Sequence, residues 1–412
     1  MSFNIDGIRN IAIAGHGGTG KTTLFENILF TGGAIPRPEL VSSGKTVSDF
    51  ADEEIEKQVS VHLALADTMW KDSLLNVMDT PGSSDFVGEV VAAFRIAESA
   101  LVVIGAKEGV QIETVKVWRR LNQRNKPRMV FINKLDADRA DFDQALSDLQ
   151  DKFEPNFVPV VIPIGGAEGY RGVIDLVANQ AYLIPEDGKE KATEIPDDMR
   201  DAVDELRAAI IETAAEGDDA LMEKYFEEET LSEEEIHAGL RAAFADNKFV
   251  PVLCGAAELC SGIASVMNFV ADTAPAPTVT IENATDQDGN EKTVQMASDG
   301  EPTCYCFKTS IDQFSGRMSF VKVVTGTLLP DSDLYNADKN SKQRLGKIFK
   351  IVGKKLVDTP DLGAGDIGVL TKLESVDTGN TICTHDDMLQ YQPVKVPQPV
   401  HSLAVFAANK ND

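Results

Sequence analysis

Cysteine is scarce in this chain of 412 residues: five, at 254, 260, 304, 306 and 383. The number is odd and no CxxC pair occurs, which excludes a disulfide framework and the usual zinc ribbons and fits structural thiols in a reducing cytosol. Cys304 and Cys306 stand two apart, so a strand would put both on one face, a core arrangement and not a metal pair. No apolar run approaches the roughly 18–20 residues of a membrane-spanning helix. The start, MSFNIDGIRN, lacks a basic region followed by an apolar core, so no secretory signal is expected there. Basic residues are few: 39 Lys and Arg against 66 Asp and Glu, a formal charge of −27. Such a surface repels nucleic-acid phosphates on average, which argues against DNA binding and leaves RNA to a local basic patch or to protein intermediaries. Repeats and low-complexity tracts are missing too.

What is present is an ordinary globular balance, 43% hydrophobic and 25% charged. The length exceeds one hydrophobic core, so two or three domains are expected. NIAIAG (10–15), LLNVMD (74–79), SALVVIGA (99–106), RMVFINK (128–134) and PVLCGA (251–256) are short apolar runs with helical patterns between them. That alternation predicts an α/β parallel sheet with helices on both faces, over residues 1–275. An interruption at about 158–250 reads as an inserted subdomain. Its neighbourhood, residues 186–235, carries 20 acidic against five basic residues. The segment 276–302, rich in Pro, Asn, Asp and Gly, reads as a linker. Residues 303–393 change to short alternating runs separated by turns, the pattern of an antiparallel β-barrel. QPVKVPQPV is a stiff connector, and HSLAVFA an apolar strand with no partner left in sequence. The expectation is a truncated third domain over 394–412.

Gly15-His16-Gly17-Gly18-Thr19-Gly20-Lys21-Thr22 matches G-x-x-x-x-G-K-[ST] between a strand and a helix, the P-loop NTPase context. Glycines let successive amides converge on phosphates, and the following helix adds its positive end. Lys21 would reach the β- and γ-phosphates, Thr22 would ligate Mg²⁺, and Thr23 lies beside them. Asp79, ending the apolar run VMD about sixty residues later, is placed to hold Mg²⁺, through water. Gly82 of the DTPG turn would direct its amide at the γ-phosphate. Asn133-Lys134-Leu135-Asp136 ends another strand. The Asp136 carboxylate can accept from guanine N1–H and the exocyclic amine. Adenine offers neither donor, so a buried, unpaired carboxylate would reject ATP. Asn133 would tie this loop to the P-loop, and the Lys134 stem would cover the base. Gly255, Ala256 and Ala257 could offer amides to guanine O6.

P-loop, DTPG, NKLD and CGAA in this order resemble the translational GTPases. The insert and the barrel motifs GRMSFVKVVTGTL and GDIGVL narrow the resemblance to elongation factor G and its relatives, over essentially the whole chain. It implies GTP/GDP and Mg²⁺ as ligands, a cytoplasmic monomer, and the ribosome as partner, through rRNA at the barrel and a stalk protein at the insert. Lysines 308, 322, 342, 347, 350, 354 and 355 are candidates for a basic patch on the barrel. The resemblance makes HSLAVFA the first strand of the family's third domain. Gly18 replaces the family's P-loop Asp, which helps bind a monovalent cation. In place of the first-switch motif RGIT stands Gln58-Val59-Ser60, so Ser60 inherits the Mg²⁺ role. Where the family has a water-orienting His after DTPG, this chain has Ser83. The departures point to a divergent elongation factor G-like paralogue. Lys21, Gly82 and Ser83 are the catalytic candidates, with slow turnover expected without the ribosome, and acceleration by a partner, because a serine hydroxyl accepts no proton near neutral pH. The alternatives are a GTP-binding regulator with little hydrolysis and, with poorer spacing of insert and barrel, a class II peptide-chain release factor.

Overall fold

A computed structural model describes residues 3–184, 190–312, 316–385, 388–394, 396 and 402–407. The chain begins with β1 (Ile8–Gly15), α1 (Lys21–Thr31) and a short helix α2 (Asp52–Lys57). It continues through β2 (Ala64–Trp70), β3 (Ser73–Asp79), α3 (Val87–Ile96), β4 (Ser99–Gly105), α4 (Ile112–Gln123), β5 (Arg128–Asn133), α5 (Phe142–Lys152) and β6 (Phe157–Pro159). After the insert come β11 (Val250–Cys254) and α9 (Ile263–Thr273). The main sheet has the order β2-β3-β1-β4-β5-β11-β6, parallel except for β2, which runs antiparallel to β3 at one edge. Every residue of β1, β3, β4, β5 and β11 is buried. Helices cover both faces, so these strands read as continuous apolar runs and not as alternating ones. Parallel pairing puts the carboxyl ends of β1, β3, β5 and β11 along one rim, where an α/β sheet forms its ligand crevice.

The insert holds a four-stranded antiparallel sheet of β7 (Val161–Ile164), β8 (Gly172–Asp175), β9 (Gln180–Leu183) and β10 (Lys191–Thr193). Helices α6 (Arg200–Ala215), α7 (Asp219–Glu228) and α8 (Glu233–Ala245) follow, with α6 packed on α8. None of α7 is buried, and it carries an exposed Phe226 among its acidic residues.

The segment expected as a linker, 276–302, is instead largely a hairpin, β12 (Ile281–Asp286) and β13 (Glu291–Gln295). The hairpin joins a strand near the end of the second domain, β24 (Leu389–Tyr391), in a three-stranded sheet. Polar composition misled here because the side chains β12 buries are Glu282 and the small Ala284, and the larger of them is charged. The two oxygens of Glu282 take both terminal nitrogens of Arg95 at 2.6 Å, and that guanidinium lies 4.5 Å from the centre of the Tyr305 ring.

The second domain adds β14 (Thr303–Asp312), β15 (Gly316–Thr325), β16 (Thr327–Leu328), β17 (Asp333–Asn336) and β18 (Ser341–Arg344). It is completed by β19 (Ile348–Val352), β20 (Lys355–Thr359), β21 (Leu362–Gly363), β22 (Ile367–Thr371) and β23 (Thr381–Cys383). Eight of these form the antiparallel barrel sheet, ordered β18-β17-β23-β14-β15-β22-β19-β20, with β16 and β21 paired beside it. Three of the candidate rRNA-binding lysines are turned inward instead. Lys322 is buried in an ion pair with Glu98, Lys350 meets Asp366, and Lys308 meets Glu89 of α3. Lys342, Lys347, Lys354 and Lys355 stay exposed. Residues 402–407 form no strand and are exposed; His401 and the adjoining residues 397–400 and 408–412 lie outside the described residues.

Candidate nucleotide site

The rim of the main sheet carries a cavity of about 760 Å³, lined on one side by His16, Gly17, Gly18, Gly20, Lys21 and Thr22, and on the other by Asp49, Ser60, Gly82 and Ser83. A more open cleft of about 780 Å³ lies on the barrel between Arg344, Lys347 and Phe349, remote from the glycine loop.

The loop from β1 into α1 turns on Gly20, whose φ is +91°. A side chain there would also collide with the Asn133 amide, so glycine is required twice over. Asn133, at the end of β5, uses both ends of its amide. Nδ2 donates to the Thr19 carbonyl at 2.9 Å, and Oδ1 accepts the Ala257 amide at 2.9 Å. One side chain thus joins the phosphate loop, the NKLD turn and the turn after β11. Leu135 N donates to the Gly255 carbonyl, and Lys134 Nζ reaches the Gly18 carbonyl at 2.6 Å.

Lys21 lies deep in the loop and donates to the His16 carbonyl at 2.8 Å. Burial depresses its ammonium to about 8, against the pull of Asp79 and Asp49. Gly82 packs so closely that a Cβ there would stand 2.6 Å from both Gly17 N and Lys21 Nζ. DTPG is therefore placed directly over the phosphate loop.

Three sequence-predicted metal residues come together. Thr22 Oγ1 donates to Asp79 Oδ2 at 2.8 Å, and Ser60 Oγ lies 3.2 Å from Thr22 Oγ1. Asp79 is fully buried, pushed up to about 7 by desolvation and by Asp49, with Lys21 and Thr22 opposing. Its other oxygen, Oδ1, has no partner among the described residues. Asp49 was not singled out in the sequence. It too is raised by burial, and one of its oxygens also lacks a partner. No group of three or more His, Cys, Asp or Glu suited to a metal occurs among the described residues. The set here is two carboxylates and two hydroxyls, hard oxygen donors of the kind Mg²⁺ takes alongside water and phosphate, so the residues fit that ion.

Two further buried carboxylates arrange the segment carrying Asp49 and Ser60. Glu26 of α1 accepts the amides of Val47 and Glu39. Glu54 of α2 accepts those of Ala51, Val61 and His62 at 2.9–3.1 Å. Neither has a sequence signature, because their partners are backbone groups.

Two sequence expectations change. Asp136 is exposed, so its cost of standing unpaired arises only once a base covers it. The amides of Gly255, Ala256 and Ala257 already donate inward, to Ile132 O, Ser261 O and Asn133 Oδ1. The next amide along, that of Glu258, is in the first turn of a 3-10 helix whose early N–H groups have no helical acceptor. Glu258 lines the cavity. Ser83 caps another short helix: its hydroxyl accepts from Asp85 N and donates to Asp85 Oδ2, both at 3.3 Å.

Residues 6–276 match the family described as elongation factor Tu GTP binding domain, and residues 301–385 match elongation factor G domain 2. The fold superposes on a solved protein from Thermus thermophilus with a TM-score of 0.81 at 29% sequence identity. The match covers 92% of this chain and 54% of that one, so the chain spans about half the length of the Thermus protein. The glycine loop, the aspartate over it and the asparagine clasp therefore sit in a known combination of domains, and the chain belongs to the translational GTPases of the elongation factor G type.

Proposed function

We propose that this chain is the nucleotide-binding part of a translation factor that binds GTP and GDP with Mg²⁺ and hydrolyses GTP slowly, acting on the ribosome. The observation that carries this reading is the Asn133 clasp, which fixes a phosphate loop and a purine-reading turn at one separation. Asp136 would accept the two guanine donors, the Glu258 amide would meet O6, and Lys134 would lie along the base. On the phosphate side, Lys21 exchanges its carbonyl partner for phosphate oxygens, and Gly82 offers its amide from above. Thr22, Ser60 and Asp79 would hold Mg²⁺, which neutralises charge developing on the phosphates. Positioning and charge neutralisation supply most of the rate in phosphoryl transfer, so a missing imidazole slows turnover without abolishing it.

The acidic insert helices suit a basic protein surface such as a ribosomal stalk partner, and the exposed barrel lysines suit rRNA. Among the described residues no helix is long and apolar enough to cross a membrane; a cytoplasmic monomer is part of the proposal by the family resemblance alone. A GTP-binding regulator with little hydrolysis is the second reading, favoured by the engagement of the Ser83 hydroxyl with Asp85. Calorimetric titration with GDP, GTP and ATP, followed by GTP turnover with and without ribosomes, separates them. Tight ATP binding would overturn both readings. Turnover unchanged by ribosomes would leave the regulator.

A further inference from the structure

The insert supplies two side chains to the back of the turn that faces the base. Tyr170, between β7 and β8, has its hydroxyl 2.8 Å from Ser261 Oγ. Ser261 Oγ in turn donates to Glu190 Oε1 at 2.9 Å, and the same oxygen accepts the Gly262 amide at 3.0 Å. Because the single hydroxyl hydrogen of Ser261 goes to Glu190, Tyr170 must be the donor in its pair. Ser261 has no solvent exposure. It closes the turn that begins at Ala256: the Ala256 amide donates to Ser261 O at 3.2 Å, and the Ser261 amide returns to Ala256 O at 3.1 Å. Between these two residues lies Glu258. The 3-10 helix of this turn has only three residues: in front, Asn133 holds the amide of its buried Ala257, and behind it the insert grips Ser261 and Gly262.

We propose that Tyr170 and Glu190 are positioning residues for guanine recognition: by gripping Ser261 and Gly262 from the insert, they hold the turn that presents the Glu258 amide to the base. This rests on the guanine-nucleotide reading above. A turn anchored on both sides, by Asn133 in front and by Glu190 behind, keeps its donor in place before the ligand arrives, and preorganised donors lose less on binding. The purine pocket is then built from two lobes, and the insert is part of its specificity.

The test uses the full chain with Tyr170→Phe, Glu190→Ala and Glu190→Gln, titrated with GDP and with 6-thioguanosine diphosphate. Sulfur at position 6 is a poorer acceptor, so the preference for GDP over the thio analogue reads the O6 contact alone. Glu190→Ala and Tyr170→Phe are expected to weaken GDP by about tenfold, mainly through faster release, and to shrink that preference several-fold. Glu190→Gln keeps an acceptor for Ser261 and Gly262 and should stay within about threefold of the parent. Weaker binding of both nucleotides with the preference unchanged would mean general destabilisation and would overturn the proposal. So would variants indistinguishable from the parent. If Glu190→Ala fails to fold, Tyr170→Phe, which deletes one oxygen, carries the result. A parent chain that binds no GDP overturns the guanine reading itself and is thereby told apart from failure of this inference.

Discussion

Asp79 and Lys21 are a buried acid and base, each held on the costly side of its titration. The sign follows from the direction of each shift. Asp79 rises to about 7, so between roughly pH 4 and 7 the folded chain keeps a proton that the unfolded chain releases, and stability falls as pH rises through that window. Lys21 drops to about 8, so from there to about 10.5 the unfolded chain binds the extra proton, and stability rises with pH. Urea denaturation of metal-free protein should therefore show this pair's contribution lowest near pH 7–8. Asp79→Asn should flatten the acid-side slope and, on the proposed reading, also remove the stabilisation expected from Mg²⁺ with GDP. Asp136 is a second test at this scale. On the proposed guanine reading, Asp136→Asn would replace two acceptors for guanine N1–H and the amine by a mixed group that can donate to the 2-oxo group of xanthine. GDP affinity should fall by about a hundredfold or more, and xanthosine diphosphate should gain, measured by competition.

At the scale of elements, the loop into α1 depends on backbone that only glycine supplies. Gly20→Ala forces a side chain into a left-handed conformation and against Asn133. It should cost about 1–3 kcal/mol in denaturant and lose nucleotide binding together, because the clasp on the base turn is displaced. The hairpin β12–β13 is a different case. It is attached to α3 through Arg95 and Glu282, and removing one member leaves a charge with little access to water. Glu282→Ala should lower stability by about 3–5 kcal/mol. Replacing both residues by apolar ones should recover much of that, and thermal melts of the single and double variants measure the coupling.

For the whole molecule, the contact between the GTPase domain and the barrel is polar and deep. Glu98 accepts from Lys322 and from the Asn10 amide at 2.7 Å, with Thr280 at 3.1 Å. Asn76 and Lys350 meet at Asp366. Glu89 of α3 takes both the Leu63 amide, just past Ser60, and Lys308 of the barrel. The segment bearing Ser60, the helix after DTPG and the barrel thus share one carboxylate. Lys322→Met should leave Glu98 buried with neutral donors but no cation, at about 3–5 kcal/mol, and let the two domains separate. Small-angle scattering would detect that as a larger radius of gyration, with the GTPase domain still able to bind GDP.

The sequence by itself determined the parallel sheet, because doubly buried strands must be continuous apolar runs, and it marked the glycine loop, because glycines before a helix let successive amides converge on one point. It also placed Thr22, Ser60 and Asp79 as one group. Only the tertiary structure decided the rest. Asp49, Glu26 and Glu54 are ordinary acidic residues in an acidic chain until backbone amides and neighbours surround them. The linker became a hairpin because Arg95, 187 residues away, neutralises Glu282. Three of the lysines that look like a nucleic-acid patch turned inward, Lys308 and Lys322 to carboxylates of the GTPase domain and Lys350 to Asp366 of its own domain. Local pattern encodes what a segment does with its own backbone, whereas the protonation, burial and partner of a charged side chain depend on residues far along the chain, which pattern does not record.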